Sequence, residues 1–311
     1  MTGCALIDLA DREHIEVTGS DRAAFLHNFC TQEIKRLPVG LGAEAFFTNI
    51  KGRILAHTLV FVGERAIWID GPSGTARVLL PHLDRYLIAE DVQLADRTSD
   101  WGEIGLIGPQ AAALVERLVP GSGAFVPGQH AHAGNVTVRR FDLTKSPGWL
   151  VGASRSELPT LAQRIAAEGA VPCSDEVFQA LRIEAGTPQH GLDLSDDLLA
   201  QEAGRTKRAI SFAKGCYLGQ EPIARIDALG HTNRELRGLR LETAAVTPPG
   251  AKVFHPDTGA EVGQVTSAAL SPLDSHGVAL ALLRREVNAP GTIVLVEING
   301  QRTRAEVFWQ T

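Results

Sequence analysis

"ISFAKGCYLGQEPIARI", residues 210–226, sets a cysteine between two glycines, with a lysine before it and a Gln-Glu pair after it. Gly215 and Gly219 permit positive φ and close backbone approach, so the segment reads as a shaped loop between apolar stretches. Lys214, two residues before Cys216, favours a thiolate electrostatically if the thiol is exposed. Against that stands the commoner behaviour of a free cysteine, an inert and buried small residue. Gln220, Glu221 and Arg225 bring amide, carboxylate and guanidinium groups within two helical turns, a set that also suits a solvated face.

Upstream, "SDEVFQALRIEAG" at 174–186 has helical spacing, which places Val177, Ala180, Leu181 and Glu184 on one stripe. Glu184 therefore points where apolar neighbours point, and a carboxylate on a buried face must be paired, hydrogen-bonded or neutralised. A salt bridge to an arginine or a backbone contact at the helix end satisfies that demand. So does a ligand with N–H donors, for which a pterin or purine edge is a good partner.

Further out, "HIEVTGSDRAAFLHNFCTQEI" reads as a strand followed by a helix capped by Ser20 or Asp21, with Phe25, Leu26 and Phe29 on one side. "EAFFTNIKGRILAHTLVFVGERAIWID" reads as three strands with turns at Asn49 to Gly52 and at Gly63-Glu64. Helices are expected at Pro109 to Val119, Glu157 to Glu168 and Asp175 to Ala185, and strands at "NVTVRRFDL" and "GWLVGAS". Helices and hairpins interleave without the regular alternation of a doubly wound sheet, so the class is α+β. From about Leu236 short strands divided by Pro and Gly take over, the pattern of a small β-barrel or sandwich. The border lies near Asn233 to Leu236, dividing 1–234 from 235–311.

Composition narrows the partners. In 311 residues, 30 basic and 36 acidic side chains give a net charge of -6 with no long basic run, which argues against nucleic acid or an anionic membrane surface. Cys4, Cys30, Cys173 and Cys216 are scattered and match neither a disulfide framework nor a zinc site. His130 and His132 lack a third ligand and read as exposed loop residues, so no metal site is expected. The start "MTGCALIDLADREH" has no basic, apolar leader, and no run reaches the roughly eighteen apolar residues of a membrane helix. A soluble, cytoplasmic protein is expected.

"KGCYLGQE" at 214–221 resembles the signature of the YgfZ proteins, folate-binding relatives of the glycine cleavage T-protein, an aminomethyltransferase. Supporting pieces follow in the family's order: "VTGSDRAAFLHNFCTQEI", "KGRILAHTLVF" at 51–61, "LRIEAGTP" at 181–188, and "GQVTSAALSP" with "VALALL" in the tail. The resemblance implies two mixed α+β lobes, a bilobed folate-binding region over 1–234, and a C-terminal β-barrel, arranged around a central channel for tetrahydrofolate or a one-carbon derivative. It implies that Glu184 holds the pterin ring, that Lys214, Gln220 and Arg225 lie at the folate site, and that Cys216 is the functional thiol. The implied job is assembly or repair of iron-sulfur clusters, with a cluster carrier or client enzyme as partner.

Departures from the T-protein bear on turnover. Its "GG-x-x-DD" strand supplies an aspartate that assists release of the aminomethyl carbon. Here the matching stretch is "KGRILAHT", with Ala56 and His57 where acids would stand. A neutral imidazole is a poor substitute for a carboxylate beside a developing cation. The T-protein's "GYTGE-GYE" stretch is replaced by "LTKSPGWLVGAS". The rival expectation is a folate-dependent one-carbon transferase or demethylase acting on a small amine or thioether.

Overall fold

Two compact units make up the chain in a computed structural model that describes residues 3–308. The first holds the residues up to Asp142 together with 146–173 and 207–220; the second holds 143–145, 174–206 and the residues from Glu221 on.

The first unit carries two sheets. One has the strand order Leu41–Thr48, Ile54–Val62, Ile67–Gly71, Glu13–Thr18 and Gln93–Asp96, antiparallel throughout. Its first three strands form the meander expected from the sequence. Asn49 Oδ1 closes the first turn by accepting from the Lys51 amide at 2.8 Å. Strand period sends Ala56, Val60 and Val62 to one face, where they pack with Phe47, Ile69 and Leu79 against the helices Arg22–His27 and Thr75–Asp84. Each such buried valine, leucine, isoleucine or phenylalanine side chain contributes about 1.5 to 3 kcal/mol. The intervening His57, Leu59 and Phe61 take the other face, where the Phe61 ring meets His130 at 5.4 Å and Arg139 at 4.6 Å. That contact joins the first sheet to the second.

The second sheet runs Ala170–Cys173, Cys4–Asp8, Trp101–Ile107, Gly148–Ser154, Val136–Arg140 and His130–Ala133. Its one parallel pair is Ala170–Cys173 with Cys4–Asp8. Leu106, Val138 and Val151 form its core with Val115 and Leu161 from the helices Ala111–Leu118 and Leu158–Ala167. His130 and His132 stand on an edge strand of this sheet, not in a loop. His132 is exposed, but His130 is half-buried against Phe61 with Nε2 3.0 Å from the Val62 carbonyl oxygen.

In the second unit six strands close into a barrel in the order Arg234–Leu241, Gly277–Arg284, Glu261–Leu270, Lys252–Phe254, Ile293–Ile298 and Gln301–Phe308. Closure removes the free edges that short antiparallel strands otherwise expose. Leu239, Val265, Ala281, Val294 and Val307 fill the interior. The helix Asp175–Glu184 packs on the strands Glu261–Leu270 and Gly277–Arg284. Its buried face differs from the expected stripe: Val177 is exposed, whereas Phe178, Ala180 and every residue from Leu181 to Glu184 are buried. The last turn is sunk into its surroundings and the first turn is not, so one straight stripe does not describe the helix.

Among the described residues no helix is long and apolar enough to cross a membrane.

Candidate functional site

The 214–221 segment is held from within. Lys214 is buried, and its Nζ donates to the carbonyl oxygens of His27 at 2.5 Å, Cys30 at 2.6 Å and Gln32 at 2.9 Å. All three ammonium protons are thereby committed. The acceptors sit at and just beyond the end of the helix Arg22–His27, where helical carbonyls lack intrahelical partners. Burial pushes the Lys214 ammonium below its ordinary value, with Cys30 and Glu33 pulling the other way. Tyr217 lies with its ring 4.6 Å from the ammonium, and burial pushes its phenol up to about 12.

Two further ties set the turn. The Leu218 amide donates to the Asn28 carbonyl at 2.8 Å, and the Thr48 hydroxyl donates to the Leu218 carbonyl at 2.9 Å. Gly219 has φ +83°, and a Cβ there would stand 2.6 Å from Thr48 Oγ1 and closer still to the Asn49 carbonyl oxygen. Gly215 needs neither freedom: its φ is not positive, and a Cβ would meet only His27 Nε2, at 3.8 Å. Of the two glycines, one is required by the backbone.

Cys216 is exposed, so of the two alternatives weighed for it the buried one does not hold. Cys4 and Cys30 are the buried ones, and burial pushes the Cys4 thiol up to about 11 and raises Cys30 as well. Lys214 thus serves the backbone around Cys30. Gln220 is half-buried, its amide donating to the Tyr217 carbonyl at 3.1 Å.

Lys214, Cys216 and Gln220 belong to the first unit; Glu184 and Arg225 belong to the second. Arg225 is exposed on the helix Gln220–Leu229, whose buried side chain is Ile223. Glu184 ends its helix at 3% exposure and accepts a hydrogen bond from the Ser271 hydroxyl. The internal salt bridge foreseen at this helix end exists, but Arg182 makes it, 2.8 Å from Asp193 Oδ2. Within its own unit Glu184 has no ion pair among the described residues, and Ser271 is its one hydrogen-bond partner there.

Sequence reading missed two constellations, both in the first unit. Glu44, on the strand beside His57, holds His57 Nε2 at 2.7 Å. The second is a fully buried set, His14, Asp70 and Glu103, whose donor atoms lie within 4.8 Å of one another. Arg12 Nε is 2.6 Å from Asp70 Oδ1, and an Arg139 guanidinium nitrogen is 2.5 Å from Glu103 Oε1. Two guanidinium groups already stand against the two carboxyl groups, so a divalent cation would add positive charge to a core that already holds two cations. Burial, with Asp70 beside it, pushes Glu103 up to about 8; burial pushes His14 down to about 4. Burial alone would raise Asp70, but Arg12 and His14 outweigh it and hold Asp70 low. The set therefore pairs a carboxyl group that is raised with one that is held low.

A model of the GCVT N-terminal domain matches residues 1–214, and one of the glycine cleavage T-protein C-terminal barrel domain matches 234–310. A protein of Arabidopsis thaliana named as a putative chloroplastic transferase is 29% identical over 300 residues, 94% of this chain and 68% of that protein. An aminomethyltransferase of Saccharopolyspora erythraea is 27% identical over 319 residues, covering 98% of this chain and 86% of that one. The crystal structure of the glycine cleavage system aminomethyltransferase T from Bartonella henselae shares the fold, with TM-score 0.89 at 21% identity over 98% of this chain and 85% of that one. With α+β lobes, a closed six-stranded barrel and family models matched over nearly its whole length, the chain belongs to the glycine cleavage T-protein family.

Proposed function

We propose that this chain binds tetrahydrofolate or a one-carbon derivative of it, with Glu184 as the pterin anchor, and that it acts in folate-dependent one-carbon transfer involving a small amine or thioether. The observation that carries the reading is Glu184: a carboxylate at 3% exposure, on the last turn of a helix, with a hydroxyl beside it and, among the described residues of its own unit, no cation paired with it. A buried carboxylate without a counter-charge is costly unless a ligand's N–H groups meet it. The relatives' names, aminomethyltransferase and putative transferase, support the same class. In this reading Lys214 shapes the turn, since its donors are spent on backbone carbonyls. Gln220 and Arg225 are left to contact folate or its glutamate tail.

A second reading is favoured by a different observation, the exposure of Cys216 at the apex of a turn braced from three sides. In it the chain is YgfZ-like and cytoplasmic: Cys216 is a functional thiol, and the folate-bound protein assists assembly or repair of iron-sulfur clusters in client enzymes.

Anaerobic calorimetry of tetrahydrofolate with the full chain and with Glu184→Ala tests the shared element. Loss of about 1.5 to 3 kcal/mol in the variant is the expected cost of removing a charged hydrogen-bond partner; absence of binding by the unmodified chain overturns the folate reading. Cys216→Ser then separates the two activities. Lost iron-sulfur enzyme activity in cells, with folate binding intact, selects the second.

A further inference from the structure

Glu44 and His57 occupy one face of the first unit's antiparallel sheet. The register pairs Phe46 with His57 and Glu44 with Leu59, so Glu44 lies diagonally across from His57 on the same side. Glu44 is 3% exposed. Its Oε1 is 2.7 Å from His57 Nε2, and its Oε2 is 3.3 Å from Arg208 Nε. Gln32 fixes the arginine's segment by donating to the Arg208 carbonyl at 3.0 Å. The Phe46 ring, 4.9 Å away and tilted by 31°, supports the imidazole.

A carboxylate only accepts, so Nε2 carries a proton, and in the neutral ring the lone pair is on Nδ1. His57 Nδ1 has no hydrogen-bond partner among the described residues. The contrast with His14 is informative: both of its ring nitrogens are sealed from solvent without a partner, whereas His57 Nδ1 is not. A histidine held at one edge by a buried carboxylate, supported on one face and open at the other nitrogen has the geometry of a base oriented by a second group.

We propose that His57 Nδ1 is a proton acceptor for an amine ligand, with Glu44 and Arg208 as its positioning residues. This rests on the one-carbon-transfer reading, because such transfer needs a neutral amine nitrogen to attack a folate-borne carbon. An N–H bond of the bound ammonium breaks and its electron pair stays on nitrogen. The proton forms Nδ1–H, and Glu44, anchored by Arg208, compensates the resulting imidazolium. The cross-strand carboxylate thus supplies the negative charge that the strand of His57 does not carry itself.

Two measurements on the full chain test it. Long-range nitrogen–proton NMR at neutral pH, with His57→Gln assigning the signal, should show the Nε2–H tautomer in the unmodified protein and loss of that preference in Glu44→Gln. An Nδ1–H tautomer overturns the proposal. Diethyl pyrocarbonate, which acylates unprotonated imidazole nitrogens, should modify His57, and tetrahydrofolate at ten times its Kd should slow that reaction about tenfold. A protein that binds tetrahydrofolate calorimetrically but leaves His57 unprotected, or unreactive while exposed His132 reacts, also overturns it. A protein that binds no folate removes the functional reading instead, and the tautomer and reactivity of His57 then decide the proton-acceptor geometry by themselves.

Discussion

Glu103 and Asp70, on strands of different sheets, each keep one buried oxygen without a hydrogen-bond partner, and the two side chains and His14 bring ligating atoms within 4.8 Å of one another. Arg12 and Arg139 take the outer oxygens. Burial, with Asp70 beside it, raises the Glu103 carboxyl in the core that joins the sheets. Folded Glu103 titrates at about 8 against 4.5 when free, so between those values the folded state binds more protons and stability falls as pH rises. His14 acts oppositely: its value of about 4 against 6.5 makes stability rise with pH up to 6.5. Above 6.5 the Glu103 slope is no longer offset by His14, and the protein should lose on the order of 1 to 2 kcal/mol by pH 8. Glu103→Gln, which keeps the neutral form, should flatten the thermal midpoint across that window. A midpoint in the unmodified protein that does not move across it contradicts the raised Glu103 value.

Gly219 and Gly215 flank the same cysteine and should respond differently to an added methyl group. At Gly219 alanine meets both a positive φ and the Thr48–Asn49 backbone, so Gly219→Ala should cost about 2 kcal/mol or more. At Gly215 the nearest atom is His27 Nε2 at 3.8 Å, and Gly215→Ala should change stability by less than about 1 kcal/mol in either direction. Denaturant midpoints of the two variants decide it; equal losses would mean that the turn is not braced at Gly219.

What the sequence disclosed follows from the range of the forces involved. The barrel strands and the three-strand meander were legible because alternation and turn residues act over a few positions. The helix Thr75–Asp84 was not, although it packs Leu79 into the core. Its start lacks a local capping side chain and Pro81 lies inside it. The cap comes from Glu13, whose carboxylate accepts from the Gly74 and Ala76 amides at 2.7 and 2.6 Å across more than sixty residues. At the candidate site, the burial of Glu184 was readable from helical spacing. The partner of Arg182, the acceptors of Lys214 and the Glu44–His57 pair were not, because each joins residues on separate elements. The exposure of Cys216 stayed open for the same reason: the ties of Lys214 and Leu218 that hold its segment reach residues far away in sequence.

Lys214→Met keeps the length of the side chain and removes its charge. Three buried carbonyl oxygens then lose a charged donor, and the variant should be destabilised by about 3 kcal/mol or more. Lys214→Arg should not restore it, because a planar guanidinium does not converge on three carbonyls as a tetrahedral ammonium does. The local readout is amide exchange at Leu218, which is tied to Asn28 on the same end of the braced turn. Faster exchange at Leu218 in both variants is expected. Protection equal to that of the unmodified chain would assign the bracing to Tyr217 and Thr48 instead.

Asp193 is the acceptor that fixes the last turn of the Glu184 helix to the barrel. Its Oδ2 takes Arg182 at 2.8 Å and the Gln189 amide at 2.9 Å, and its Oδ1 takes the hydroxyls of Thr266 and Ser267, each at 2.6 Å. Arg182→Met leaves a buried carboxylate with neutral donors only, and should cost about 3 to 5 kcal/mol. Asp193→Asn keeps an acceptor but strands the guanidinium, and should cost a similar amount. The double variant removes both uncompensated charges at once, so its loss should fall short of the sum by at least about 1 kcal/mol. Thermal midpoints of the three variants measure that coupling. Additive losses would mean that Thr266, Ser267 and the Gln189 amide hold Asp193 without help from Arg182, leaving the helix end fixed by packing of Phe178, Leu181 and Ile183 alone.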